Sequence, residues 1–89
     1  MRAVVTVIGK DTIGILAKVS GICAAHSANV LEVTQTILQD LFAMIMMVDI
    51  TNINVAFPVL ADEMKQAGTD MGLSIHVMHE DIFNSMHRI

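Results

Sequence analysis

Residues 2–8 read Arg-Ala-Val-Val-Thr-Val-Ile, β-branched and nearly all apolar, and this pattern predicts a strand. Residues 9–14, Gly-Lys-Asp-Thr-Ile-Gly, follow as a short loop. The period then lengthens. Ile15, Leu16, Val19, Ile22 and Cys23 recur at helical spacing, with Lys18 and Ser20 on the other side. Asp11 or Thr12 can cap this helix, which should end near residues 26–28. Asn29 opens a second strand over residues 30–38, with Leu31, Val33 and Ile37 on one face and Glu32, Thr34 and Thr36 on the other. Gln39-Asp40 is a tight turn without glycine. Residues 41–50 form a third strand with two apolar rows: Phe42, Met44, Met46, Val48 and Ile50 in one, Leu41, Ala43, Ile45 and Met47 in the other. Such a strand is expected to be covered on both sides.

Asn54 can cap a second helix whose first turn holds Pro58, where a missing N–H is tolerated. Phe57, Leu60, Ala61, Met64 and Ala67 form its buried stripe; Asp62, Glu63, Lys65 and Gln66 face water, and Gly68 and Gly72 are candidate terminators. Residues 73–80 form a fourth strand. In the tail, Ile82, Phe83, Met86 and Ile89 fall at helical spacing on a segment too short to stand alone, so it must dock. The order strand, helix, strand, strand, helix, strand is the ferredoxin-like βαββαβ plan. It is an α+β fold: a four-stranded antiparallel sheet with both helices on one face, plus a short C-terminal helix. Nothing divides the 89 residues, so residues 1–89 form a single domain.

Composition narrows the function. With 54% hydrophobic and 16% charged residues, the chain is not disordered, and its apolar excess points to contact with another chain. A net charge of -4 argues against binding nucleic acid or an anionic membrane directly. One cysteine excludes an internal disulfide and fits a reducing compartment. No apolar run reaches a membrane span, and the N-terminus lacks a signal peptide's three regions, so a cytoplasmic location is expected.

Catalytic machinery is thin. The serines sit in no nucleophile elbow, and the first loop lacks the Lys-Ser/Thr ending of a phosphate loop. Cys23 on an apolar stripe reads as a core thiol. His76 and His79 point to opposite faces of one strand, and no Cys/His pair has zinc spacing, so neither metal nor cofactor is expected. The methionines, Met44, Met46 and Met47 among them, read as core or interface filling or as an adaptable binding face. Gln35 stands on an apolar face, either satisfied by nearby backbone or lining a pocket.

The first loop taken with Asn29 carries the most information. In a βαββαβ fold they lie at opposite ends of the sheet within one chain, but a neighbouring chain can bring its own Asn29 to the loop. The helix start, with free N–H groups and a positive dipole end, suits a carboxylate. Asp11 could meet an ammonium group, and Asn29 offers a donor and an acceptor. The same residues also fit a purely structural use, with Asp11 as a cap, Gly14 for helix-sheet packing and Asn29 for a turn.

These residues carry a resemblance. Val7-Ile8-Gly9-Lys10-Asp11 with Gly14-Ile15, Asn29-Val30 before Thr34-Gln35-Thr36, Phe42-Ala43-Met44, and the ending Ile82-Phe83-Asn84-Ser85-Met86-His87-Arg88-Ile89 together resemble an ACT domain. The likeness is to stand-alone ACT proteins akin to the glycine cleavage system transcriptional repressor. It implies a dimerising βαββαβ module, with amino-acid-type effectors bound between the first loop and the neighbour's second strand. The matching positions are Asp11, Thr12, Ile13, Gly14 and Asn29. Many ACT domains carry Pro where this chain has Ile13, and many regulate a fused catalytic domain. The expected function is a non-enzymatic regulatory homodimer, or higher homo-oligomer, that binds a small amino-acid effector and signals to a partner protein. The alternative is a protein-interaction subunit with a vestigial ligand pocket. Acylphosphatases share the fold type but use an Arg in the first loop, which here has Lys10.

Overall fold

The computed structural model describes residues 1–10 and 13–86. Its elements are β1 (Arg2–Lys10), α1 (Ile15–Ala25), β2 (Asn29–Leu38), β3 (Leu41–Asp49), α2 (Phe57–Met71), β4 (Leu73–His79) and α3 (Glu80–Met86). The βαββαβ plan and the C-terminal helix are therefore present. All strand pairings are antiparallel, in the order β2-β3-β1-β4. Both α1 and α2 lie on one face, α1 toward β2 and α2 over β4, while α3 turns back onto the opposite face against β1 and β4.

Strand alternation builds the core. Ala3, Val5 and Val7 of β1 stand beside Val48, Met46 and Met44 of β3 on alternate rungs. All six are buried, together with Ile15, Val19, Ile22 and Cys23 of α1 and Leu60, Met64 and Ala67 of α2. Met44 and Met46 are thus core residues. Burial pushes the Cys23 thiol above its ordinary pKa, because the thiolate would lose its hydration.

Several boundaries differ from the sequence reading, each for a local reason. β1 continues through Gly9 and Lys10, because Gly9 pairs with Phe42 on one side and Leu73 on the other. A Cβ at Gly9 would stand 2.6 Å from Leu73 Cδ2 and 3.2 Å from Leu73 Cα, so a larger residue would push the Leu73 side chain aside. The start of α1 is Gly14, in the left-handed region at φ 85°, with no side-chain cap among the described residues. Asp11 and Thr12 lie outside the described residues. Leu16 is exposed, not part of the α1 stripe. Asn54 does not cap α2, whose N-cap is Ala56. Gly68 lies inside α2, and Gly72, at φ 74°, ends it. A Cβ on Gly68 would stand 2.9 Å from the Leu73 carbonyl oxygen, so that glycine lets α2 close onto β4. β3 and β4 each stop one residue early, at Asp49 and His79.

β2 departs most. A bulge between Val30 and Glu32 takes Leu31 out of the alternation, leaving Val33, Gln35 and Ile37 on the helix side opposite Met46, Met44 and Phe42. No residue of β2 is buried. Gln35 is exposed on that side. The second row of β3 is partly open, Leu41 and Ile45 being exposed and Ala43 and Met47 half-buried, so the expected cover is complete on one side only. The Gln39-Asp40 turn joins Leu38 directly to Leu41, with Gln39 taking the positive φ of 60° that a two-residue hairpin demands.

Candidate functional site

Two of the five sequence-derived site residues, Asp11 and Thr12, lie outside the described residues; Ile13, Gly14 and Asn29 can be placed. Gly14 starts α1, and its carbonyl oxygen accepts the first helical hydrogen bond, from Lys18 N–H at 2.9 Å. Among the described residues no side chain caps the start, and the first turn holds no acidic residue. The leading N–H groups of α1 thus face outward with the positive end of the helix dipole behind them. Beside them Ile13 is 98% exposed, an apolar side chain standing free of the fold.

Asn29 lies elsewhere. It pairs with Asp49 at the end of β3, whereas Lys10, the residue before the loop, pairs with Leu41 at its beginning. Eight residue steps along a strand separate those rungs, roughly 27 Å. One chain therefore does not bring the loop and Asn29 together. The topology does fix Asn29 as the first residue of an exposed edge strand, and α1 lies on that side of the sheet.

Near Asn29 the sheet end is well bonded. The Asp49 carboxylate accepts from the Thr51 hydroxyl at 2.6 Å and the Thr51 N–H at 2.9 Å, and these bonds hold its pKa below the ordinary carboxylate value. The Arg2 guanidinium grips Glu80 at 2.6 Å, tying β1 to the start of α3.

A further polar group escaped the sequence reading. His26, the C-cap of α1, meets Asn54 Oδ1 through Nδ1 at 3.0 Å and Glu63 through Nε2. Asn54 Nδ2 donates to the Ala25 carbonyl, which orients its oxygen toward the imidazole, and Asn54 N–H donates to the His26 carbonyl. With an acceptor on each ring nitrogen, the imidazolium is favoured; Asn54 first and Glu63 next raise the His26 pKa. This clip joins α1, the loop after β3 and α2. Its members lie 28 and 37 residues from His26, so no local motif announces it.

His76 and His79 do face opposite ways. His79 stacks on Phe57 at 4.2 Å between ring centroids, while His76 looks onto the side away from α1 and α2. Among the described residues, no three His, Cys, Asp or Glu side chains gather as a metal site. No described helix is long and apolar enough to cross a membrane.

The comparisons with known proteins bear on the whole chain. A family model described as an ACT domain matches residues 2–78. A UPF0237 protein of Methanocaldococcus jannaschii is 51% identical over 88 residues, covering 99% of this chain and 98% of the relative. Among solved structures, an ACT domain protein from Streptococcus pneumoniae is 34% identical, covers 93% of each chain and superposes with a TM-score of 0.80. A putative glycine cleavage system transcriptional repressor shares the fold at a TM-score of 0.68 and 16% identity, over 85% of this chain and 43% of that one.

Proposed function

Because the chain belongs to the ACT-domain family, a family of regulatory modules, we propose that it works without catalysis, as a homodimer that binds a small amino-acid effector between its two copies and signals to a partner protein. One observation carries this reading. β2 is an edge strand with Val33 and Ile37 exposed on its helix side. Its free edge and apolar side chains suit another strand of the same kind. Pairing β2 antiparallel with the β2 of a second copy reverses the ends, so the partner's Asn29 moves to the end of the sheet where β1 stops at Lys10.

The roles follow from the chemistry. The effector carboxylate takes the N–H groups at the start of α1. Gly14, without a side chain, allows close approach. Asp11 takes the ammonium group, Thr12 adds a hydroxyl, and Ile13 packs against the effector's side chain. The partner's Asn29 supplies both a donor and an acceptor.

A thermal-shift screen against the amino acids at millimolar concentration tests this, since a ligand selective for the native state raises Tm. Asn29→Ala should weaken binding of the responding amino acid by about 1–2 kcal/mol while leaving the unliganded Tm unchanged. Undiminished binding by Asn29→Ala would move the site elsewhere. A second reading draws on the exposure of Ile13: an apolar side chain so far out of the fold also suits a protein contact. If no amino acid shifts Tm, the interaction subunit with a vestigial pocket takes first place.

A further inference from the structure

His26 stands three residues before Asn29, and the chain between them turns a strained corner. α1 ends at His26, Ser27 adopts φ 59°, and Ala28 is buried before β2 begins. A φ of this sign costs energy in a residue with a Cβ, so the corner keeps its shape only while its neighbours hold it. They hold it from two sides. Ser27 N–H donates to the Ala24 carbonyl at 3.3 Å, and Ala28 N–H to the Cys23 carbonyl at 2.9 Å. From the loop after β3, Asn54 reaches the last two carbonyls of the helix end. Its Nδ2 donates to Ala25 at 3.2 Å and its backbone N–H to His26 at 3.1 Å.

The imidazole completes this hold only when charged. As imidazolium it donates from Nδ1 to Asn54 Oδ1 at 3.0 Å and from Nε2 to the Glu63 carboxylate. A neutral imidazole has one N–H and must set a lone pair against one of these two oxygens. The charge-assisted bond to Glu63 is the stronger, so Nδ1 gives up the proton. Asn54 Oδ1 then faces a lone pair. Turning the amide over would offer Nδ2 to the ring, but would take it from the Ala25 carbonyl and set Oδ1 there instead. Either way the corner before β2 loses a bond. The His26 side chain is 17% exposed, so water can exchange its proton.

We propose, on the reading that Asn29 meets the effector, that His26 is a positioning residue for Asn29: its protonated side chain fixes the corner at residues 26–28, and loss of the proton lets the start of β2 shift and weakens effector binding. From α2, Glu63 is the charge that acts on the ring. Asp70 of α2 and Lys18 of α1 line the same groove between the helices as Glu63, while Asp62 and Lys65 lie about 100° and 200° round α2 from it. The loop after β3 contributes the uncharged Asn54. Asn54 first and Glu63 next raise the His26 pKa, so the transition falls above about pH 6.5. Asp49, opposite Asn29, is held below the ordinary carboxylate range and stays ionised throughout. Two other titratable groups touch the elements that carry the clip. His79 stacks on Phe57 of α2, and the Met1 amino group donates to Thr51 Oγ1 at 2.7 Å, 4.0 Å from Asp49.

An NMR pH titration of the unliganded protein reads the positioning directly. The Asn29 amide resonances should shift with the same midpoint as the His26 ring. His26→Gln, which leaves His79 and the Met1 amino group in place, should remove that inflection. Glu63→Gln should lower both midpoints together, and since Glu63 is exposed it decides the matter if His26→Gln misfolds. Asn29 resonances that stay flat while the ring titrates, or that keep their inflection in His26→Gln, overturn the inference. The amino-acid thermal-shift series supplies the second readout. For the amino acid that responds, the dissociation constant should rise about fivefold from about pH 6 to about pH 8 in the parent and stay level in His26→Gln. A merely structural role for His26 would weaken binding equally at every pH, and a level profile in the parent overturns the positioning of the effector site. If no amino acid responds, the effector reading falls, and the Asn29 titration alone decides whether His26 holds the start of β2.

Discussion

β2 and β4 are the two edges of one sheet, and they are finished differently. β4 lies beneath α2, with Leu73 and Ile75 buried, and its chain turns directly into α3. β2 has no buried residue, although it carries Val33 and Ile37 on the side where the helices lie. Composition does not separate them, since both alternate β-branched and polar residues. Packing does. Gly68 brings the α2 backbone down onto β4, whereas α1 leaves the helix side of β2 open. A small domain that completes one edge and leaves the other apolar and open has divided its surface into a part it stabilises itself and a part that stays open to pairing.

The contrast can be broken most strongly with one substitution made at both edges. Ile75 is 2% exposed and Ile37 is 56% exposed. Ile75→Ala should cost about 3 kcal/mol in urea denaturation, a fall in Tm of more than about 10 °C. Ile37→Ala should cost under about 1 kcal/mol in the monomer and act on assembly instead. Equal losses at the two positions would show that β2 is covered within one chain.

Next in size is Gly68→Ala. Its Cβ would press on the Leu73 carbonyl at 2.9 Å and on Ile75 Cβ at 3.2 Å, so α2 must lift from β4. We expect a loss of about 2 kcal/mol by urea denaturation, despite alanine's better helix propensity. A stabilised variant would mean that α2 has room to spare over β4.

The smallest effect concerns the clip that joins the two halves. Because Asn54 and Glu63 raise the His26 pKa, the native state holds this proton more tightly than the unfolded chain. The clip therefore contributes fully below about pH 6.5, the unfolded value, and its contribution fades as pH rises through the higher folded value. Glu63→Gln should flatten this part of the pH dependence of the urea midpoint. An unchanged slope would assign it to another group.

Much of the architecture was legible because alternation and helical spacing are local. The rows of β3 and the stripe of α2 could be read directly, and the order of elements then fixed Asn29 and the first loop at opposite ends of the sheet. What was hidden depended on distance in sequence. Gly9 looks like a loop residue until Leu73 is beside it, and Gly68 looks like a helix stop until β4 lies beneath it. Asn54 looks like a cap until His26 claims its side chain. Leu16 and Ile37 have the right spacing for burial, but spacing cannot tell how far a neighbouring element reaches. For the site, the residue types and their separation were visible, while the pairing of copies that would unite them is a property of surfaces.

The lone thiol of Cys23 offers a different use. It sits against the sheet, buried and held protonated, so a thiol reagent cannot reach it in the closed molecule. Modification must wait until α1 lifts away. Under conditions where reclosing outpaces the reagent, the labelling rate is the intrinsic rate multiplied by the fraction of time spent open. The chain thus carries a built-in clock for the opening of α1, and an effector seated at the start of that helix would slow it.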